Sequence, residues 1–361
     1  MSRTTSIYLD AIRLTAALTV LFGHLSARRL TDGLLWQLGP IMEDAVTVFF
    51  VLSGFVIAYT ADRSEQTAAS YTIARAARIV SVAFPALLLT FVLDRIGSSL
   101  RPDLYGQWWG YEPDGKLWQY LSGVLFLNRI WLSETVIGSN APYWSLGYEV
   151  WYYVIFGVAL FAPPRRRALG ILATLVFVGP QIAASFPLWL LGVLGYRVCK
   201  ARVLSTRTGF LLASGSLALL LTYVCWGHAH LVLPDLPVLF PDQPKLPRAY
   251  IVGLLFIAHL IGFEAASYVS HTVPDRVART IRWLAGATFS VYLYHLPIGQ
   301  FLAVLMPWSP SSTATRVVIL GGTLASTFLL AEITERRKPM WRHMIVTVFS
   351  RRTKALPVLR P

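Results

Sequence analysis

The sequence predicts an all-α protein, a polytopic bundle of transmembrane helices, and three observations carry that prediction. The 361 residues are 55% hydrophobic and only 14% charged, with a mean hydropathy of +0.56. The apolar residues fall into uncharged runs, several of which approach the roughly 20 residues a helix needs to cross a bilayer. The Lys and Arg residues behind the net charge of +14 sit in short clusters between those runs. That is the footprint of positive-inside topology and not of a phosphate-binding face, so no nucleic-acid partner is expected.

In chain order the spans are read at about 7–27, 45–61, 77–93, 143–162, 168–182, 184–198, 209–227, 249–268, 285–305 and 315–333. The run from Leu117 to Asn128 is uncharged too, but its length suits a re-entrant or interfacial segment. Ten spans put both termini in the cytoplasm and 23 of the 32 Lys and Arg residues inside. A crossing at 117–128 with the N-terminus outside gives the same balance, so length decides between the two. The stretch 168–198 must hold two short helices, and Gly179-Pro180 is the expected break. Residues 1–340 form one transmembrane domain in this reading, and 341–361 a short basic cytoplasmic tail. Asp10 and Arg13 interrupt the first apolar run, so a cleaved signal peptide is not expected. Cys199 and Cys225 belong to opposite ends of neighbouring helices, which implies neither a disulfide nor a metal site.

The first span, YLDAIRLTAALTVLFGH, carries three polar residues that a plain lipid anchor would lack: Asp10, Arg13 and His24. Arg13 and His24 are eleven residues apart, roughly three turns and about 16 Å, so they share a helix face. Asp10 is one turn before Arg13 and can pair with it. In FFVLSGF, Ser53 and Gly54 permit close helix packing. Arg75 and Arg78 share a face at the cytoplasmic start of the third span, either as anchors or as contacts for an anion. Ser145 and Glu149 share a face among Trp144, Tyr148, Trp151, Tyr152 and Tyr153, where an unpaired glutamate would be expensive. SVYLYH places Tyr292 and His295 in the ninth span, either as a core histidine bonded to a tyrosine or as part of a site.

In order and spacing, the Arg13-x10-His24 helix, FFVLSGF, Arg75-x-x-Arg78, WSL-x-x-E at Trp144 to Glu149, and SVYLYH resemble the acyltransferase 3 family. The resemblance runs from about Tyr8 to Pro339. It implies a multi-pass enzyme of the cell (cytoplasmic) membrane that transfers acyl groups, other than aminoacyl groups, to hydroxyls of surface polysaccharides, nodulation factors or macrolides. The implied donor is acetyl-CoA or another acyl-CoA used from the cytoplasm, without a metal. His24 is implied as the catalytic histidine with Arg13 as its motif partner, and Arg75 and Arg78 as contacts of the CoA phosphates. Alanine and leucine replace the family's usual glycines around the arginine, at Ala11 and Leu14. The C-terminal Glu-x-Pro motif is stretched to Glu335-Arg-Arg-Lys-Pro339.

The chemistry of the residues agrees with that expectation. Acyl transfer to a hydroxyl needs a base, histidine serves near neutral pH, and a carboxylate is its usual companion. In the ten-span topology His24 and Glu149 fall toward the outer half, where Glu149 could assist. Arg13 then lines the path of the CoA arm, and Ser53, Ser145, Tyr292, His295 and Asp10 support substrate or structure. Tyr105, Trp108, Trp109 and Tyr111 in the loop 94–143 form either an interfacial belt or a face for a sugar. The partners expected are membrane lipid and a carbohydrate or glycosylated acceptor. A flippase of lipid-linked saccharides, or a membrane scaffold, is the alternative. The sequence chooses no acceptor, acyl chain length or oligomeric state.

Overall fold

The structure is a computed structural model, which describes residues 1–106, 117–227, 246–267 and 273–354. Among those residues it is helical, with one isolated bridge between Ile137 and Asn140 in place of any strand. Among the described residues, eight helices are long and apolar enough to cross a membrane. They include α1 (Arg3–Leu25), which ends two residues before the expected span 7–27 does, and α2 (Met42–Arg63) and α3 (Ala68–Leu100), which contain the second and third expected spans. Helix α1 starts where Ser2 Oγ accepts the Thr5 N–H at 3.0 Å. Helix α3 starts at a reciprocal cap between Thr67 and Ser70.

The uncharged run after the loop forms only α4 (Leu117–Val124), eight residues long. At about 1.5 Å per residue that is roughly 12 Å, less than half of a hydrocarbon core. The chain then turns at Phe126 in the left-handed region (φ 56°). Two bonds tie this hairpin to α5 (Trp144–Phe161): Tyr143 O–H donates to the Gly123 carbonyl at 3.1 Å, and Trp151 Nε1 to that of Phe126 at 2.9 Å.

The break falls at Gly179-Pro180, between α6 (Pro164–Val178) and α7 (Pro180–Ala201). The two helices therefore meet four residues earlier than the spans 168–182 and 184–198 put them. Gly179 has φ +83°, and a Cβ there would lie 2.6 Å from the Trp131 Cα. No other residue type suits both demands. Helix α6 has 15 residues and α5 has 18, and neither is among the eight apolar helices of membrane length. Next come α8 (Thr206–Thr222), α9 (Leu246–Ala266), the short α10 (Asp275–Ala285) and α11 (Thr288–Leu305). Helix α12 (Thr313–Val317) passes through a π-turn at Val318–Gly322 into α13 (Thr323–Ile333). Then α14 (Lys338–Lys354) runs through residue 340, where the tail was expected to begin.

Helix α11 is the centre of the bundle: 83% of its span is buried, more than for any of the other seven long apolar helices. It packs against α1, α3 and α13. Helices α2 and α7 approach closely, because a methyl on Gly54 would collide with the Trp189 carbonyl and one on Gly192 with that of Val51. The small residues of FFVLSGF thus serve packing there. Ser53 does more than pack.

Candidate active site

The site is built on α11, which is pinned at two points. At its start, the buried Glu335 carboxylate accepts the Ser290 N–H at 2.9 Å and the Ser290 hydroxyl at 3.1 Å. A carboxylate here satisfies an N–H that the helix itself cannot, and it opposes the positive end of the helix dipole. Farther along, Pro297 has no N–H to give the carbonyl of Leu293, four residues earlier. Asn140 supplies the missing donor, its Nδ2 lying 2.9 Å from that carbonyl and 3.1 Å from Thr90 Oγ1. The segment carrying Asn140 is held in turn by Asp94, which accepts both the backbone N–H (2.7 Å) and the hydroxyl (2.6 Å) of Ser139.

Between these pins lies His295, fully buried. Its Nδ1 is 2.9 Å from the Val291 carbonyl, which can only accept, so Nδ1 carries the proton. The Nε2 lone pair of the neutral ring then accepts from His24 Nδ1 at 3.1 Å. His24 Nδ1 also lies 3.0 Å from the Val20 carbonyl. Both bonds call for a proton on His24 Nδ1, which leaves the basic lone pair of that ring on Nε2. The tautomers follow from the hydrogen-bond network.

Two adjoining cavities lie nearby, and His24 lines one of them. The larger, about 440 Å³, is lined by His24, Phe50, Arg129, Trp144, Tyr148 and Tyr292, with Glu43, Asp44 and Arg248 among its charged residues. Arg248 clamps Asp44 bidentately, Nε to Oδ1 at 3.1 Å and a terminal nitrogen to Oδ2 at 3.0 Å. Arg129 lies 6.0 Å from the Trp144 ring, and its buried Nε has no hydrogen-bond partner among the described residues. The smaller cavity, about 60 Å³, is lined by Arg13, Arg78, Ser53, Glu149, Ser145 and Tyr153 beside an apolar wall. Val46, Phe50 and Tyr292 belong to both cavities.

The charged residues of the small cavity, Arg13, Arg78 and Glu149, come from three helices, α1, α3 and α5. Glu149 accepts from Ser53 Oγ at 2.9 Å and from the Tyr153 hydroxyl. Ser53 in turn receives the indole N–H of Trp189 at 3.2 Å. Glu149 and Glu335 both attract Arg13 and Arg78 electrostatically, and Lys338 faces the same cluster. Among the described residues Arg78 forms no ion pair with a carboxylate; it bonds Tyr153 and sits 5.8 Å from the Phe289 ring. Among the same residues no three His, Cys, Asp or Glu side chains are grouped as metal ligands.

A family model described as an acyltransferase domain, acyltransferase 3, matches residues 6–332. The chain belongs to the acyltransferase 3 family. That family is one of acyltransferases, and the long apolar helices of this chain suit a multi-pass membrane protein. A similar relative is "Acyltransferase MdmB" of Streptomyces mycarofaciens, 32% identical over 195 residues. That match covers 50% of this chain, and the chain spans about half (47%) of the relative's length. No solved structure matches the chain significantly.

Most residues singled out in this acyltransferase meet at the two cavities, in a different grouping from the expected one. Arg13, Arg78, Ser53, Ser145, Glu149 and Tyr292 line the small cavity, while His24 lines the large one with Tyr292. Glu149 serves Ser53, Tyr153 and the arginines, and His24 is not among its partners. The ring that meets His24 is His295. Along α1, the residue at the depth of Glu149 is Arg13, about three turns from His24. Asp10 and Arg13 lie 3.9 Å apart. Arg75 is turned away from the cavity, bonded to Glu65 at 2.5 Å and set beside the Tyr71 and Tyr153 rings at 5.8 and 5.7 Å. Of the loop aromatics, Tyr105 is buried; Trp108, Trp109 and Tyr111 lie outside the described residues.

Sequence reasoning passed over Asn140, Glu65, Arg129 and Phe50. Pro297 did signal that the Leu293 carbonyl needs a donor, but nothing local to the sequence names Asn140. Replacing Asn140 by Ala strands that buried carbonyl, so the variant should lose about 1–3 kcal/mol of stability. Thermal unfolding in detergent reads this as a lowered Tm; an unchanged Tm would remove Asn140 from the support of α11.

Proposed function

We propose that the enzyme moves an acyl group, acetyl or a close relative, from acyl-CoA to a hydroxyl of a carbohydrate or glycosylated acceptor. The setting proposed is the cytoplasmic membrane, with ten spans, both termini inside and the donor entering from the cytoplasm. One observation carries the reading. A cavity with Arg13 and Arg78 on its wall abuts a cavity with His24 on its wall, and Val46, Phe50 and Tyr292 separate them. The first offers cations to the CoA phosphates. The second offers aromatic faces and paired charges to a polar acceptor. The smaller cavity must widen to admit a pantetheine arm, and Phe50 is the side chain that would have to swing.

His24 Nε2 is the general base in this mechanism. It takes the proton of the acceptor hydroxyl as the oxygen attacks the thioester, then returns it to the departing CoA thiolate. His295 fixes the tautomer of His24, as a carboxylate does in other hydroxyl-activating sites. Glu149 has a different role, compensating Arg13 and Arg78 inside the bundle and orienting Ser53.

His24→Ala should insert and fold yet transfer no label from radiolabelled acyl-CoA; near-wild-type turnover would sink the assignment. Arg78→Ala should raise the apparent KM for acyl-CoA at least tenfold with little change for the acceptor, and Arg75→Ala far less, because Glu65 already holds Arg75. Equal donor KM effects would show that the two arginines share one role. For topology, Leu132→Cys in a background without Cys199 and Cys225 should react with a membrane-impermeant thiol reagent from outside. Arg166→Cys should react only after the membrane is opened, and the reverse pattern would invert the proposed orientation.

A further inference from the structure

Among the described residues, Tyr292 is the one polar side chain that lines both cavities, since the other two shared residues are Val46 and Phe50. A thioester reaching in from the arginine cavity and a hydroxyl held beside His24 can meet only at that shared wall. As the hydroxyl oxygen adds to the thioester carbon, negative charge gathers on the carbonyl oxygen. In a wall that is otherwise apolar, a hydrogen-bond donor there is worth more than it would be in water.

The resting hydrogen bonds show that Tyr292 has a proton to offer. Ser145 Oγ donates to the Pro142 carbonyl at 3.2 Å, which uses its one hydrogen. In the 2.8 Å contact between Ser145 Oγ and the Tyr292 hydroxyl, the phenol is therefore the donor. The ring is held in place, meeting Phe49 edge-on at 5.6 Å and buried to within 7% of full exclusion. Tyr292 and His295 are three residues apart on α11, their rings 6.5 Å apart, so the phenol stands on the same helix face as the histidine pair.

We propose that the Tyr292 hydroxyl donates the hydrogen bond that stabilises the oxyanion of acyl transfer. This rests on the acyl-CoA reading above. In the step, the acceptor O–H bond breaks, its proton passes to His24 Nε2, and the acceptor oxygen bonds to the carbonyl carbon. The carbonyl π pair moves onto oxygen, where the Tyr292 O–H receives it in place of Ser145. Collapse restores the C=O bond and breaks the C–S bond. The thiolate leaves as CoA thiol with the proton held by His24, and the acyl ester remains on the acceptor.

The test uses the full chain in membrane vesicles of its own host, with radiolabelled acetyl-CoA and propionyl-CoA as donors. Tyr292→Phe keeps the ring and its packing, and should lower kcat by about 10²–10³-fold while donor KM stays within about threefold. Incorporating 3-fluorotyrosine at 292, a stronger hydrogen-bond donor of nearly the same shape, should hold kcat at or above the wild-type value. A purely structural role would not produce that pair of results. A Tyr292→Phe enzyme within threefold of wild-type kcat, or one altered only in donor KM, overturns the proposal. So does a tenfold loss with fluorotyrosine. If the wild-type protein transfers from neither donor, the acyl-CoA reading falls, and this inference with it.

Discussion

Two arginines inside a bundle of apolar helices have to be compensated, and that constraint organises the rest of the structure. Arg13 comes from α1 and Arg78 from α3, while the carboxylates that attract them are Glu149 of α5 and Glu335 after α13. A charged side chain in a membrane interior is tolerated where it pairs or faces a polar cavity, and here both conditions are met. Removing either carboxylate would weaken the electrostatic compensation of both arginines, with Asp10 still 3.9 Å from Arg13. The four groups therefore couple four segments, distant in sequence, and three of the groups line one small cavity.

Glu335 joins this electrostatic cluster to the histidine pair. The same carboxylate that faces the arginines accepts the Ser290 N–H at 2.9 Å and so anchors α11. Asn140 holds α11 where Pro297 would otherwise leave a carbonyl bare. His295 sits between, its proton directed by the Val291 carbonyl, and through it the proton of His24 is directed as well. The orientation of the proposed base thus depends on a proline-interrupted helix whose two weak points are both bonded. Paired imidazoles need such support, because a ring free to turn would lose the tautomer that leaves Nε2 basic.

Much of the fold could be read from local sequence. The uncharged runs reported the long helices, Gly179-Pro180 reported the break between α6 and α7, and the shortness of 117–128 matched an eight-residue α4. Helical spacing also reported which residues share a face. Arg13 and His24 line adjoining cavities, and Ser145 and Glu149 line the same one. Arg75 and Arg78 show the limit of that logic. They share a face by spacing, but Glu65 draws Arg75 aside while Arg78 reaches the cavity. The competition came from a residue outside the span, which periodicity within the span could not register.

The sequence by itself determined the class of the protein, the family, and the set of polar residues that an apolar chain had to gather inside. The class and the set of polar residues follow from composition and local periodicity, which depend only on near neighbours along the chain, while the family was marked by the resemblance of its motifs. Partnership was decided by tertiary structure. Whether His24 met Glu149 or His295 depended on the relative depth of α1, α5 and α11, and no helix carries a record of its neighbour's depth. Packing set that depth: the centre given to α11, the capping carboxylate of Glu335, and the amide of Asn140. It put an imidazole beside His24 and left Glu149 to the arginines.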